Sequence, residues 1–261
     1  MNGFVRRWLP PIVVLAAIVG GWYALAYTLD NNFASSDGSA LIIPPPHRLF
    51  DGLNSATAQR IGEAARISLT TAVVGFFTAA VVGVVLGVGM SWSRALASAV
   101  WPWLIVLQVT PIIVLTPIIV RVVGPSFGAR VLVTVLISFF PVASNTLFGL
   151  RAVPRALHDL FTLARVTPTT RLVRLQLPAA SPSILAGLRV AAGLSVIGSI
   201  VGDFFFTRGT PGLGRLITYF FLDTRAGPMF VTAFVASLIG LVFFVAVAVA
   251  NTLLIDPWHR P

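Results

Sequence analysis

The chain has 261 residues, 57% of them hydrophobic and only 10% charged, with a formal charge of +10 and a mean hydropathy of +0.93. Soluble domains carry roughly a quarter charged residues, so this composition places the chain in a bilayer. The absence of Cys excludes disulfides, thiolate metal sites and cysteine nucleophiles, and the absence of Lys excludes a Walker A loop, so any ATP hydrolysis must come from another chain. The basic residues, all Arg, sit between apolar runs rather than in one patch, which fits membrane headgroups and not nucleic acid.

Six runs are long enough to cross a hydrocarbon core of about 30 Å. They predict an all-α polytopic protein with spans at 8–29, 68–90, 100–123, 131–150, 184–206 and 229–254. The first run follows Arg6-Arg7 like a signal peptide. It is longer than the 7–15 apolar residues usual there, and Trp22 and Tyr23 near its far end read as interfacial anchors, so it is expected to be a retained span. Residues 30–67 form an external polar segment. Within it the stiff Pro44-Pro45-Pro46 precedes an amphipathic helix, about 47–67, expected to lie at the interface. Gly75, Ala79, Gly83 and Gly87 recur every four residues on the second span, a stripe that lets another helix approach closely. Packing within the chain is the preferred partner, a dimer seam the alternative. The third span carries Pro102, Pro111 and Pro117 and is expected to be kinked or locally unwound.

Orientation rests on arginine. With the N-terminus inside, Arg6, Arg7, Arg94, Arg151, Arg155, Arg165, Arg171, Arg174 and Arg260 are cytoplasmic. Arg48, Arg60, Arg66, Arg121, Arg130, Arg208, Arg215 and Arg225 lie outside, and Arg189 falls within the fifth span. The cluster of five in residues 151–183, between the fourth and fifth spans, decides for both termini in the cytoplasm.

No catalytic constellation is present. His47, His158 and His259 are scattered over both sides of the membrane, which argues against a metal site, and Asp203 and Asp223 sit at span ends rather than at midplane. The informative segment is 151–183. Pro154, Pro168, Pro178 and Pro182 divide it, 155–166 and 169–177 read as short basic amphipathic helices, and Thr167-Pro168 makes a bend. Such helices can dock a soluble partner or lie on anionic headgroups.

This segment resembles the EAA loop of binding-protein-dependent ABC importer permeases: Glu-Ala-Ala, three residues, Gly, nine residues, Ile-x-Leu-Pro. Aligned on Leu177-Pro178, Leu175 takes the Ile position, Arg165 the Gly and Asp159 the Glu. Leu160 and Phe161 stand where the two Ala would be. These are departures, and Pro168 is expected to supply the turn that the Gly otherwise allows. The stretch from Pro178 to Arg189 is similar to nitrate/sulfonate/taurine-type permeases, as are Asp203 followed by Gly212-Leu213-Gly214, the proline-rich third span, and Phe140-Pro141 with Asn145 and Gly149-Leu150.

The resemblance implies the type I ABC importer permease fold and a multi-pass protein of the bacterial inner membrane. It implies a second permease subunit, most simply in a homodimer, two ATPase subunits that carry the ATP and Mg, and an extracytoplasmic substrate-binding protein. This chain then binds no cofactor and is not itself an enzyme. Asp159, Arg165, Thr167, Pro168 and Arg171 are the expected ATPase-coupling residues. Gln108, Thr110, Thr116, Ser144, Asn145, Ser195 and Ser199 are candidates for the translocation path, each also readable as interhelical glue. Asp203, paired with Arg208, is a candidate for the outer gate or for binding-protein docking. The cargo implied is a small organic solute: a sulfonate-like anion, a vitamin precursor or an aromatic acid. A stand-alone carrier or channel and a membrane scaffold are the competing classes.

Overall fold

The structure is a computed structural model that describes residues 3–33, 43–51, 53–206 and 209–255, among which there is no strand. The helices are α1 (Gly3–Phe33), α2 (Ser55–Trp92), α3 (Arg94–Val109), α4 (Ile112–Val123), α5 (Phe127–Arg151), α6 (Arg155–Leu163), α7 (Pro168–Arg171), α8 (Leu177–Asp203), α9 (Leu213–Leu222) and α10 (Ala226–Ile255). Among the described residues five stretches are long and apolar enough to cross a membrane: Trp8–Thr28, Ser55–Trp92, Phe127–Arg151, Pro168–Asp203 and Ala226–Leu253. α3 and α4 make a sixth if taken together, bent by 102°.

Proline chemistry sets that bend. Pro111 lacks an N–H and pushes the residue before it out of the helical region, and Thr110 accordingly sits at φ −72°, ψ 122°. Pro102 and Pro117 remain inside their helices.

Two boundaries differ from the sequence expectation. The amphipathic helix expected at 47–67 is not a separate element. A short 3-10 turn occupies Pro46–Arg48, and one 38-residue helix then runs from Ser55 to Trp92. Asn54 Oδ1 caps it by accepting the Thr57 N–H at 2.8 Å, and the run of Ala, Gln, Arg and Glu that follows contains nothing to stop it at 67. In the loop, the helix begun at Pro168 continues through a π segment, Leu172–Gln176, directly into α8. The wide turn, closed by Leu177 N–H on Leu172 O, accommodates the missing N–H of Pro178.

The chain divides into two compact units. In the first, residues 1–63 and 216–235, Trp22 Nε1 donates to Pro44 O at 3.1 Å, and Tyr23 stacks on His47 with ring centroids 5.8 Å apart. The two aromatics expected at the bilayer interface thus hold the proline-rich segment against α1.

In the second unit, residues 64–215 and 236–261, α5 is the central helix. Val135, Phe139, Ala143 and Leu147 pack with Ala79, Met90, Ala97 and Leu104, while Val142 packs with Phe76, Ala191 and Ala192. The small-residue stripe on α2 faces α5. A Cβ on Gly83 would stand 2.6 Å from Val142 Cβ, and one on Gly87 2.6 Å from Thr146 Cβ.

Candidate functional site

Three groups of residues, all within the second unit, carry the candidate chemistry. The first is the bend between α6 and α7. α6 ends in a Schellman motif: Val166 N–H reaches Phe161 O at 3.2 Å and Arg165 N–H reaches Thr162 O at 3.0 Å. This motif needs a left-handed residue, and Arg165 supplies it at φ 51°. Pro168 therefore does not replace the missing Gly; Arg165 adopts the glycine conformation itself. Thr167 then caps α7, its Oγ1 accepting the Thr170 N–H at 3.3 Å. Arg171 ties the two arms together, Nη2 donating to Thr162 Oγ1 at 2.9 Å. Asp159 is exposed on α6. Left-handed backbone costs an L-residue about 1–2 kcal/mol, so Arg165→Gly should stabilise the loop by up to about 1 kcal/mol after its greater unfolded-state entropy is subtracted. Slower amide exchange at Val166 would show it.

The second group surrounds the α3–α4 break. A cavity of about 360 Å³ opens there, lined by Gln108, Thr110 and Pro111, by Phe140 and Pro141 of α5, and by apolar residues of α8. Among the described residues no charged side chain lines it. The other expected path residues lie elsewhere. Thr116, Ser195 and Ser199 are buried and spend their hydroxyls on carbonyls of their own helices, those of Ile112, Ala192 and Val196. Ser144 and Asn145 both donate to Pro141 O, at 3.2 and 2.8 Å, at the cavity wall.

The third group is a buried ion pair at the far end of α8. Asp203, 1% exposed, accepts the Arg215 N–H through Oδ2 at 2.9 Å, while Ser68 Oγ accepts the Leu213 N–H at 2.9 Å. Together they cap the first turn of α9. Arg130 Nη2 stands 3.3 Å from Asp203 Oδ1 as a charge contact, donates to Thr210 O at 2.9 Å, and places its guanidinium 4.9 Å from the centre of the Phe206 ring. Arg208, the partner expected from sequence, lies outside the described residues. Sequence reasoning missed Arg130: it is 73 positions from Asp203, and no local pattern marks the pair. It also missed α9, whose ten residues are too few to register as a span.

Among the described residues no three His, Asp or Glu gather into a metal-binding group. Residues 66–254 match the family described as binding-protein-dependent transport system inner membrane component. The formylaminopyrimidine transport permease protein ThiX of Halalkalibacterium halodurans is 36% identical over 192 residues, covering 72% of this chain and 74% of the relative. The nitrate import permease protein NrtB of Synechocystis sp. is 25% identical over 250 residues, covering 94% and 88%. A solved chain of the MetNI methionine ABC transporter, in an inward-facing conformation, shares the fold with a TM-score of 0.61 at 17% identity, over 75% of this chain and 98% of that one. With the family matched over most of its length and its apolar helices accounted for, the chain belongs to the binding-protein-dependent inner membrane components, as a multi-pass permease subunit of an ABC importer.

Proposed function

We propose that the α6–α7 bend is where two ATPase subunits, holding ATP and Mg, act on a dimer of this permease, and that the bend and both termini are cytoplasmic. The observation that carries this reading is the locked bend. The Schellman turn, the Thr167 cap and the Arg171–Thr162 bond make it a rigid lever rather than a sliding contact, and only a rigid element can bias a two-state equilibrium. Asp159, Arg165, Thr167, Pro168 and Arg171 then dock and transmit. An extracytoplasmic binding protein delivers the solute to the far side, where Asp203 holds α9 in place beside the outer gate.

Gln108 and Thr110 line the path at the α3–α4 break, with Ser144, Asn145, Thr116, Ser195 and Ser199 supporting its walls. A cavity lined by no charged side chain among the described residues suits an uncharged heterocycle, such as the formylaminopyrimidine named for the ThiX relative, better than nitrate or a sulfonate.

Reconstituted with ATPase subunits and binding protein, the permease should take up the pyrimidine only with ATP. Arg165→Glu with Arg171→Glu should abolish co-purification of the ATPase. Gln108→Leu should lower pyrimidine uptake on the order of tenfold by removing one polar contact, with the complex intact. Uptake without any ATPase would instead establish a stand-alone carrier, and equal uptake by the Gln108 variant would remove the break from the path.

A further inference from the structure

A second cavity, about 970 Å³, opens where α2 ends, α3 begins, α5 ends and α6 begins. Arg94, Arg151, Arg155 and His158 line it together with Trp101 and Phe148, and among the described residues no acidic one does. Arg151 is already engaged, Nη2 donating to Met90 O near the end of α2 at 3.3 Å. Arg94 and Arg155 are exposed and make no hydrogen bond or ion pair among the described residues, so two guanidinium groups face one concave space without a counter-charge. One side of its wall is aromatic, beside Ser91, Ser98 and Gln176: Trp101 and Phe148 meet edge to face with ring centroids 5.6 Å apart, and Phe148 stays 56% exposed.

We infer that this cavity is a binding site for the phosphodiester headgroup of an anionic phospholipid. Guanidinium forks match phosphate oxygens in pairs, and Arg binds them with more geometric constraint than Lys would. Basic cavities between transmembrane helices at the membrane surface take such headgroups. The helix ends that line this one put it at that surface, and the Trp101–Phe148 wall leads from it along α3 and α5 for an acyl chain to follow. A free phosphate would use the guanidinium groups and leave the aromatic wall idle.

The test is native mass spectrometry of the full permease complex taken from nanodiscs of equal phosphatidylglycerol and phosphatidylcholine. Wild type should retain phosphatidylglycerol selectively, and Arg94→Gln with Arg155→Gln should lower its retention at least fivefold. The control, Arg121→Gln with Arg189→Gln, removes the same charge elsewhere and should retain it as wild type does. Thermal unfolding of each variant checks the fold. Equal retention by the pocket variant, equal loss by the control, or equal retention of phosphatidylcholine would overturn the site. So would release of the lipid by millimolar inorganic phosphate, which would mark a simple anion site, or loss of the ATPase subunits with the lipid still held, which would mark a protein contact.

Discussion

Asp203→Ala should lower the stability of the chain by about 3–5 kcal/mol, the usual cost of removing one member of a buried charge pair. Asp203 and Arg130 are both almost fully enclosed, so the substitution leaves a guanidinium with its charge uncompensated. It also frees the Arg215 N–H in the first turn of α9. Asp203→Asn keeps the shape and one acceptor oxygen, so it should cost less and preserve assembly while loosening α9, and transport should fall. Unfolding in mixed micelles reads the first effect and uptake by the assembled complex reads the second. Normal uptake by Asp203→Asn would remove the residue from the gate. Arg130→Ala should match Asp203→Ala in stability, and the double variant should cost less than the sum of the two, because they share one interaction.

Gly83→Val is expected to be the other severe change, at about 3 kcal/mol or more. The new Cβ would meet Val142 Cβ at 2.6 Å and Phe139 O at 2.9 Å, and the second of these is backbone of the central helix, which cannot rotate away. α2 and α5 would have to separate along the whole stripe. Gly20→Ala is the control, since nothing lies within 4 Å of its Cβ position and helix propensity favours alanine by about 0.5–1 kcal/mol. The subunit itself should lose stability, because the stripe packs against α5 of the same chain.

The apolar runs, a kink somewhere in the proline-rich third span and the bend at Thr167-Pro168 were legible because each has a local cause: length of hydrophobic sequence, missing N–H groups, a restricted residue before proline; which of Pro102, Pro111 and Pro117 breaks the span was not. The junction of the polar segment with the second span was not legible, since the change from amphipathic to wholly apolar near Ser68 looks like an ending although the backbone continues unbroken. Nor was the merging of α7 with α8, where a proline at 178 argues for a stop and a π turn removes it. At the site, the alignment marked Arg165 as an oddity without revealing that it keeps the glycine conformation. The hydroxyls of Ser195 and Ser199 pointed to a polar path, yet both close on their own helix, a choice made by packing that spacing does not record. The Arg130–Asp203 pair exists only because α5 and α8 lie side by side.

The run from Pro168 to Asp203 is 36 residues of uninterrupted helix, about 54 Å at 1.5 Å per residue. One end is the bend proposed to meet the ATPase and the other is locked to α9. A tilt of about 5° about its midpoint would carry each tip by about 2 Å in opposite directions, enough to part a hydrogen bond. No relay of side chains is then needed between the two ends of the permease. On the proposed coupling the helix acts as a connecting rod, and the five-residue π turn near its base, with Pro182 shortly after it, gives that end slack to take up.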